Sequence, residues 1–112
     1  MVEIEELEEN IGKVPEIFKE IAKTDPELHE KVLGLDLMIW KDGALSRQTK
    51  KIIAIAIAAA LRDEHVLDAQ MAGAKKLGIK KEEIEEGLRV AFLLAGMPAY
   101  VSGKSKLEEM MG

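Results

Sequence analysis

The stretch "IIAIAIAAAL", residues 52 to 61, constrains this chain more than any other. Ten unbroken apolar residues are about half of the roughly 20 that a membrane-spanning helix needs. The fifteen positions between Ser46 and Leu61 exceed an ordinary buried strand, so the β-branched isoleucines do not signal a sheet. The segment is therefore read as a helix that is apolar on nearly every side, capped by Ser46. Its alanines at 54, 56, 58, 59 and 60 carry little bulk and let a neighbouring helix approach closely.

The same reasoning extends outward. Ile4, Leu7 and Ile11 recur at helical spacing in an acidic run, predicting a short amphipathic helix over residues 3 to 9. Pro15 suits the start of a second helix reaching Ala22. Asp25 and Pro26 open a third that runs to Lys41 and closes in "KDGALS". In it Leu28, Val32, Leu35 and Ile39 form one stripe and Leu33, Leu37 and Trp40 another, an arc broad enough to require burial on two sides. After Leu61 the polarity switches. A helix beginning near Asp63 stops at Gly78, a natural residue beyond a helix end, and "KKEEIEEGLRVAFLLAG" gives another that ends at Gly96. Pro98 starts a last one toward Met110. Met38, Met71, Met97 and Trp40 read as core filler. The expectation is an all-α helical bundle of about six to seven helices in a single domain, residues 1 to 112, with short N-terminal helices over 1 to 24 and a core over 25 to 112.

A 112-residue bundle has few fully enclosed positions. Helices as apolar as residues 47 to 61 and "RVAFLLAG" are expected to bury their remaining faces against other copies, in a closed symmetric homo-oligomer. The net charge of −5 arises from Glu3, Glu5, Glu6, Glu8 and Glu9, the other sixteen acids balancing sixteen bases, so no nucleic-acid footprint is present. With no membrane-spanning segment and no basic leader, a soluble cytoplasmic protein is expected. The abundance of Lys and Glu beside one Asn and two Gln is similar to the surface-charge bias of thermophile proteins. The absence of cysteine excludes disulfides, thiolate metal sites and thiol redox catalysis by this chain.

Between residues 30 and 105 three pieces carry a resemblance: "LS-x-x-TK-x-x-I-x-x-A", the helix ending "AG-x-x-x-LG" followed by "EEI-x-E", and the closing "AGMPA". Together they resemble the carboxymuconolactone decarboxylase-like family, which includes the alkyl hydroperoxidase D-like proteins. The resemblance implies an all-α domain assembled into trimers or hexamers. In the hydroperoxidase branch it implies a Cys-x-x-Cys pair, a His and a Glu, which fall here on Asp63, Val66, Gln70 and Lys51. All four are replaced. A dithiol peroxidase needs a nucleophilic thiolate and a resolving sulfur, so family-type peroxide reduction is disfavoured in this chain.

Three candidate catalytic residues remain. His65 is the acid/base candidate, with Asp68 to orient it and Lys51 to hold a substrate carboxylate or pair with Asp63 or Asp68. In an antiparallel hairpin turning near Arg62, Lys51 approaches the level of Gln70. Each candidate has a plain counterpart: His65 as a solvated histidine, Lys51 as a surface lysine, Asp63 as a helix cap. Glu64, His65 and Asp68 form a weak metal-ligand set, to which His29 adds only if folding brings it close. No cofactor is expected. The functional expectation is decarboxylase-like proton transfer on a small carboxylate or lactone, if the chain is an enzyme. The alternative is a non-catalytic small-molecule binder or structural oligomer. Catalysis requires His65, Lys51 and a carboxylate to converge in an enclosed pocket; a structural role leaves His65 in open solvent.

Overall fold

The computed structural model describes residues 16–112, and the helix expected over residues 3 to 9 lies outside them. Six helices follow in order: α1 (Glu16–Thr24), α2 (Pro26–Trp40), α3 (Arg47–Leu61), α4 (Glu64–Lys76), α5 (Lys81–Ala95) and α6 (Met97–Met111). No strand occurs among the described residues. The ends fall where the local chemistry puts them. Asp25, Ser46 and Asp63 each accept a backbone N–H from the residue three positions on, the caps of α2, α3 and α4. Gly78 follows α4 at φ +71°, left-handed backbone that suits glycine.

α3 is the central element, packed against α4, α5 and α6. Its Ile55, Ala58 and Ala59 meet Leu67, Met71 and Ala74 of α4, Ile84 and Leu88 of α5 and Leu107 of α6 in one continuous core. The small residues act as the sequence implied. A Cβ built on Gly103 of α6 would collide with the Leu88 side chain and lie 3.2 Å from the Ala59 Cβ. Helices α3, α5 and α6 therefore approach at a distance that no larger side chain at position 103 allows.

The α1–α2 hairpin is attached differently. α2 packs chiefly on α1 and has only sparse contact with the α3–α6 body. Leu33 and Trp40 are buried, whereas Leu28, Leu35, Met38 and Ile39 are exposed. The two-sided burial expected for this helix is thus not met among the described residues. Outward apolar faces recur on α3 (Ile53, Ile57, Leu61) and α5 (Val90, Leu93, Leu94), with Leu94 82% exposed. Of the side chains read as core filler, Met71 and Trp40 are buried, but Met38 and Met97 are exposed. Both lie on helix faces that no other described element covers, which the periodicity of a single helix does not reveal.

Two glycines with opposite surroundings test this packing. Gly103→Ala is expected to destabilise by about 1–3 kcal/mol, because Leu88 is fully buried and has nowhere to move. Gly34→Ala, where a Cβ meets open space, is expected to stabilise by about 1 kcal/mol through helix propensity. Urea midpoints of both variants check the pair.

Candidate functional site

The buried polar centre of the molecule is Lys51. It sits one turn into α3 with 0% exposure, in a helix otherwise built of Ile and Ala. An ammonium ion in such surroundings must recruit partners, since an uncompensated buried charge is costly by several kcal/mol. Its Nζ donates to Gln70 Oε1 of α4 at 2.7 Å and lies 4.0 Å from the centroid of the Trp40 ring, a cation–π contact. Trp40 Nε1 in turn donates to Asp36 Oδ1 at 3.0 Å.

Local sequence explains how α2 is brought to this point. Lys50, the neighbour of Lys51, donates through Nζ to the Ile39 and Lys41 carbonyls, both at 2.7 Å. A lysine thereby satisfies carbonyls left over at the end of α2 and pins that end to α3. Asp42 Oδ1 accepts from the Arg47 backbone N–H at 2.6 Å, fixing the short connection. Trp40 is thus held over Lys51 by the first turns of the helix that carries Lys51.

Burial is the main reason that the Lys51 pKa falls from 10.5 to about 8; Asp36 opposes the shift and Arg47 adds to it. Near neutral pH the ammonium is still the major form, but the neutral amine is within easy reach. Arg47 stands one turn before Lys51, half-buried, and its Nε is covered without a hydrogen-bond acceptor among the described residues. The cluster therefore offers a titrating amine, a covered guanidinium donor, an indole face and a carboxylate.

The approach of Lys51 to Gln70 was legible in the sequence; the other members were not. Arg47 could have been found as the i−4 neighbour of Lys51. Asp36 and Trp40 share one α2 face with Leu33 and His29, a polar pattern on a stripe that is otherwise core. His29 is half-buried with Nε2 covered and without a partner among the described residues.

The structure does not bring the other sequence candidates to this centre. His65 is exposed. Five positions separate it from Gln70, which places the two about 140° apart around α4. Asp68 is half-buried, and its Oδ1 lies 3.7 Å from Lys106 Nζ of α6. Asp63 caps α4, its Oδ1 accepting from the Val66 N–H at 3.1 Å. Among the described residues no group of three His, Asp or Glu side chains could hold a metal ion, so Glu64, His65 and Asp68 do not assemble into a site.

Residues 26–109 match the model of the Carboxymuconolactone decarboxylase family, most of the chain. The chain belongs to that family. An uncharacterised protein of Methanocaldococcus jannaschii is 38% identical over 94 residues, 83% of this chain and 90% of the relative. An uncharacterised protein of the cox locus of Paracoccus denitrificans is 27% identical over 98 residues, 88% of each chain. The crystal structure of a Burkholderia xenovorans protein, provisionally assigned as a carboxymuconolactone decarboxylase, superposes with a TM-score of 0.79 at 20% identity. That match covers 92% of this chain and 81% of the other, a likeness of fold. The two positions where the resemblance implies cysteines are exposed and one of them caps a helix. The two where it implies Glu and His are buried and joined to each other.

The Lys51 pKa sets a pH dependence of stability. The unfolded lysine holds its proton to about 10.5 and the folded one only to about 8, so between those values the unfolded state binds more protons. Stability therefore rises with pH through that window. We expect Lys51→Met to abolish a rise of up to about 3 kcal/mol. Denaturant unfolding of both proteins at pH 7.5, 9 and 10.5 measures it.

Proposed function

We propose that this family member performs proton-transfer chemistry on a small carboxylate or lactone, of the decarboxylase kind, with Lys51 as the proton-transfer group. The observation that supports the reading is the Lys51–Gln70 hydrogen bond at the two positions where the resemblance to the hydroperoxidase branch implies a Glu and a His. A group that gives and takes a proton near neutral pH must have a pKa close to it, and the Lys51 value of about 8 meets that condition. His65, exposed and on the far side of α4, does not share this environment.

Each neighbour then has a role. Gln70 fixes the Nζ direction, the Trp40 face favours the ammonium, and the Arg47 Nε–H is the donor for a substrate oxygen. As the carbon–carboxylate bond breaks, CO2 leaves and its electron pair passes into the adjacent carbonyl system. The Lys51 ammonium then delivers its proton to that carbon and becomes the neutral amine. A desolvated centre favours loss of carboxylate charge. Substrate reaches Lys51 only by displacing Trp40, so entry requires the Lys50 hydrogen bonds that pin the end of α2 to be released.

CO2 release from a panel of carboxylated lactones tests the assignment. Turnover is expected to fall at least about 100-fold in Lys51→Met, within the range of a lost general acid. In the wild type kcat/KM is expected to decline above pH 8, because the acid form is consumed there. Turnover that survives Lys51→Met, or that rises through pH 8, rejects the role.

A second reading, a non-catalytic binder or structural homo-oligomer, draws support from the outward apolar faces. Ile53, Ile57, Val90 and Leu94 flank Ala56, Ala60 and Gly87 in a groove of about 400 Å³ between α3 and α5. Apolar helix faces of this kind call for cover in water. Assembly is compatible with either reading, and a trimer or hexamer is expected in light scattering. Leu94→Asp is expected to yield smaller species of unchanged helicity, and wild-type chains that stay single at every concentration would remove the support.

A further inference from the structure

Asp36 lies one turn before Trp40 on α2, on the face that also carries the buried Leu33, and is itself half-buried. At a spacing of four residues the two side chains meet, and Trp40 Nε1 donates to Asp36 Oδ1 at 3.0 Å. With the indole 8% exposed, its N–H requires an acceptor. It does not require a charged one. An asparagine or glutamine oxygen would accept the same proton, and a carboxylate is harder than an amide to take out of water. A half-buried carboxylate is favoured over an amide here only where a cation shares the site.

That cation is Lys51. Its Nζ lies 4.0 Å from the centroid of the ring that Asp36 holds. Asp36 of α2 favours the ammonium form, Arg47 of α3 disfavours it, and α4 meets Nζ with the neutral Gln70 amide. One side chain therefore acts in two separable ways. Its oxygen orients the indole, and its charge offsets part of the burial that drives Lys51 toward the neutral amine.

We propose that Asp36 is the positioning residue of this centre, fixing the Trp40 face over Lys51 through the indole N–H and keeping Lys51 in its acid form through its charge. This role rests on Lys51 being the proton donor, and it meets a condition of that chemistry. A buried lysine gives up a proton only if it enters the reaction as the ammonium. Asp36 acts through Trp40 and Lys51, not on the substrate.

Two substitutions separate the two actions. Asp36→Asn keeps an oxygen for the indole and removes the charge; Asp36→Leu removes both. The titration of Lys51 is followed by NMR on its Cε–H signal, identified by its loss in Lys51→Met, and the cover of Trp40, the single tryptophan, by acrylamide quenching. In Asp36→Asn the Lys51 midpoint is expected to fall by about one pH unit, with quenching as in the wild type. The alkaline limb of kcat/KM for CO2 release is expected to move with it. In Asp36→Leu quenching is expected to rise severalfold at unchanged helicity. Glu30→Gln, which removes an exposed carboxylate from the same helix, is expected to change neither readout. A Lys51 midpoint unmoved in Asp36→Asn, an equal shift in Glu30→Gln, or unchanged quenching in Asp36→Leu would each overturn the proposal. Titration and quenching need no turnover, so a wild type that releases no CO2 rejects the decarboxylase reading while the Lys51 midpoint still decides on Asp36.

Discussion

A single desolvated amine organises the docking of three helices. Lys51 lies in the interior of a helix made of isoleucine and alanine, where an ion without partners would not be tolerated. Gln70 supplies an oxygen from α4 and Trp40 a ring face from α2, while the Asp36 carboxylate counters the charge. Hydrophobic contact between α3 and α4 is non-directional and would accept several rotations of one helix on the other. The 2.7 Å hydrogen bond would not, because sliding either helix by one residue turns its donor or acceptor through about 100°. The same requirement fixes α2, whose other attachments to the body are few. Trp40 is buried for this reason, while the apolar stripe of Leu28, Leu35 and Ile39 on the same helix stays exposed.

The apolar half of α3 serves the opposite end. Alanines at 58 and 59 and glycine at 103 bring α5 and α6 close, and close approach makes up in dispersion contact what small side chains lack in area. A helix shaped this way has little bulk to cover its own outer surface. Ile53, Ile57 and Leu61 therefore face away from the core of a single chain, beside Val90 and Leu94 of α5. The two halves differ: the Lys51 end meets its partners within the chain, and the Ile57 end is left exposed among the described residues.

What could be read from the sequence follows from how local each determinant is. Caps at Asp25, Ser46 and Asp63 act within four residues, so the helix boundaries were legible to within a residue or two. The meeting of Lys51 and Gln70 needed one further step, the register of a helical hairpin, and that too was legible. The roles of Trp40 and Asp36 were not, because they depend on how α2 docks across a connection of irregular chain; Arg47 was available as the i−4 neighbour of Lys51 on the same helix. Met38 and Met97 were misjudged for a related reason: apolar character predicts a preference for cover, not the presence of a neighbour to provide it. Arg62 was invisible in another sense. The usual signal of left-handed backbone is glycine, and here the conformation occurs without it.

The family relation adds a constraint on how such a centre can change. Exposed positions such as 63 and 66 accept substitution one at a time, because water compensates whatever is lost; Asp63 makes a cap where the resemblance implies sulfur. Positions 51 and 70 have no such freedom. Exchanging one member of a buried pair leaves the other unsatisfied, at about 1–3 kcal/mol for a neutral group and more for a charge. An amine needs an acceptor that does not also demand a second buried charge, and the Gln70 amide oxygen is one. A carboxylate at 51 would require a donor at 70 instead, so the identities at the two positions are tied through one hydrogen bond. Lysine with glutamine is therefore a self-consistent pair at the two positions where the resemblance implies glutamate and histidine, and it keeps a titrating group in the interior.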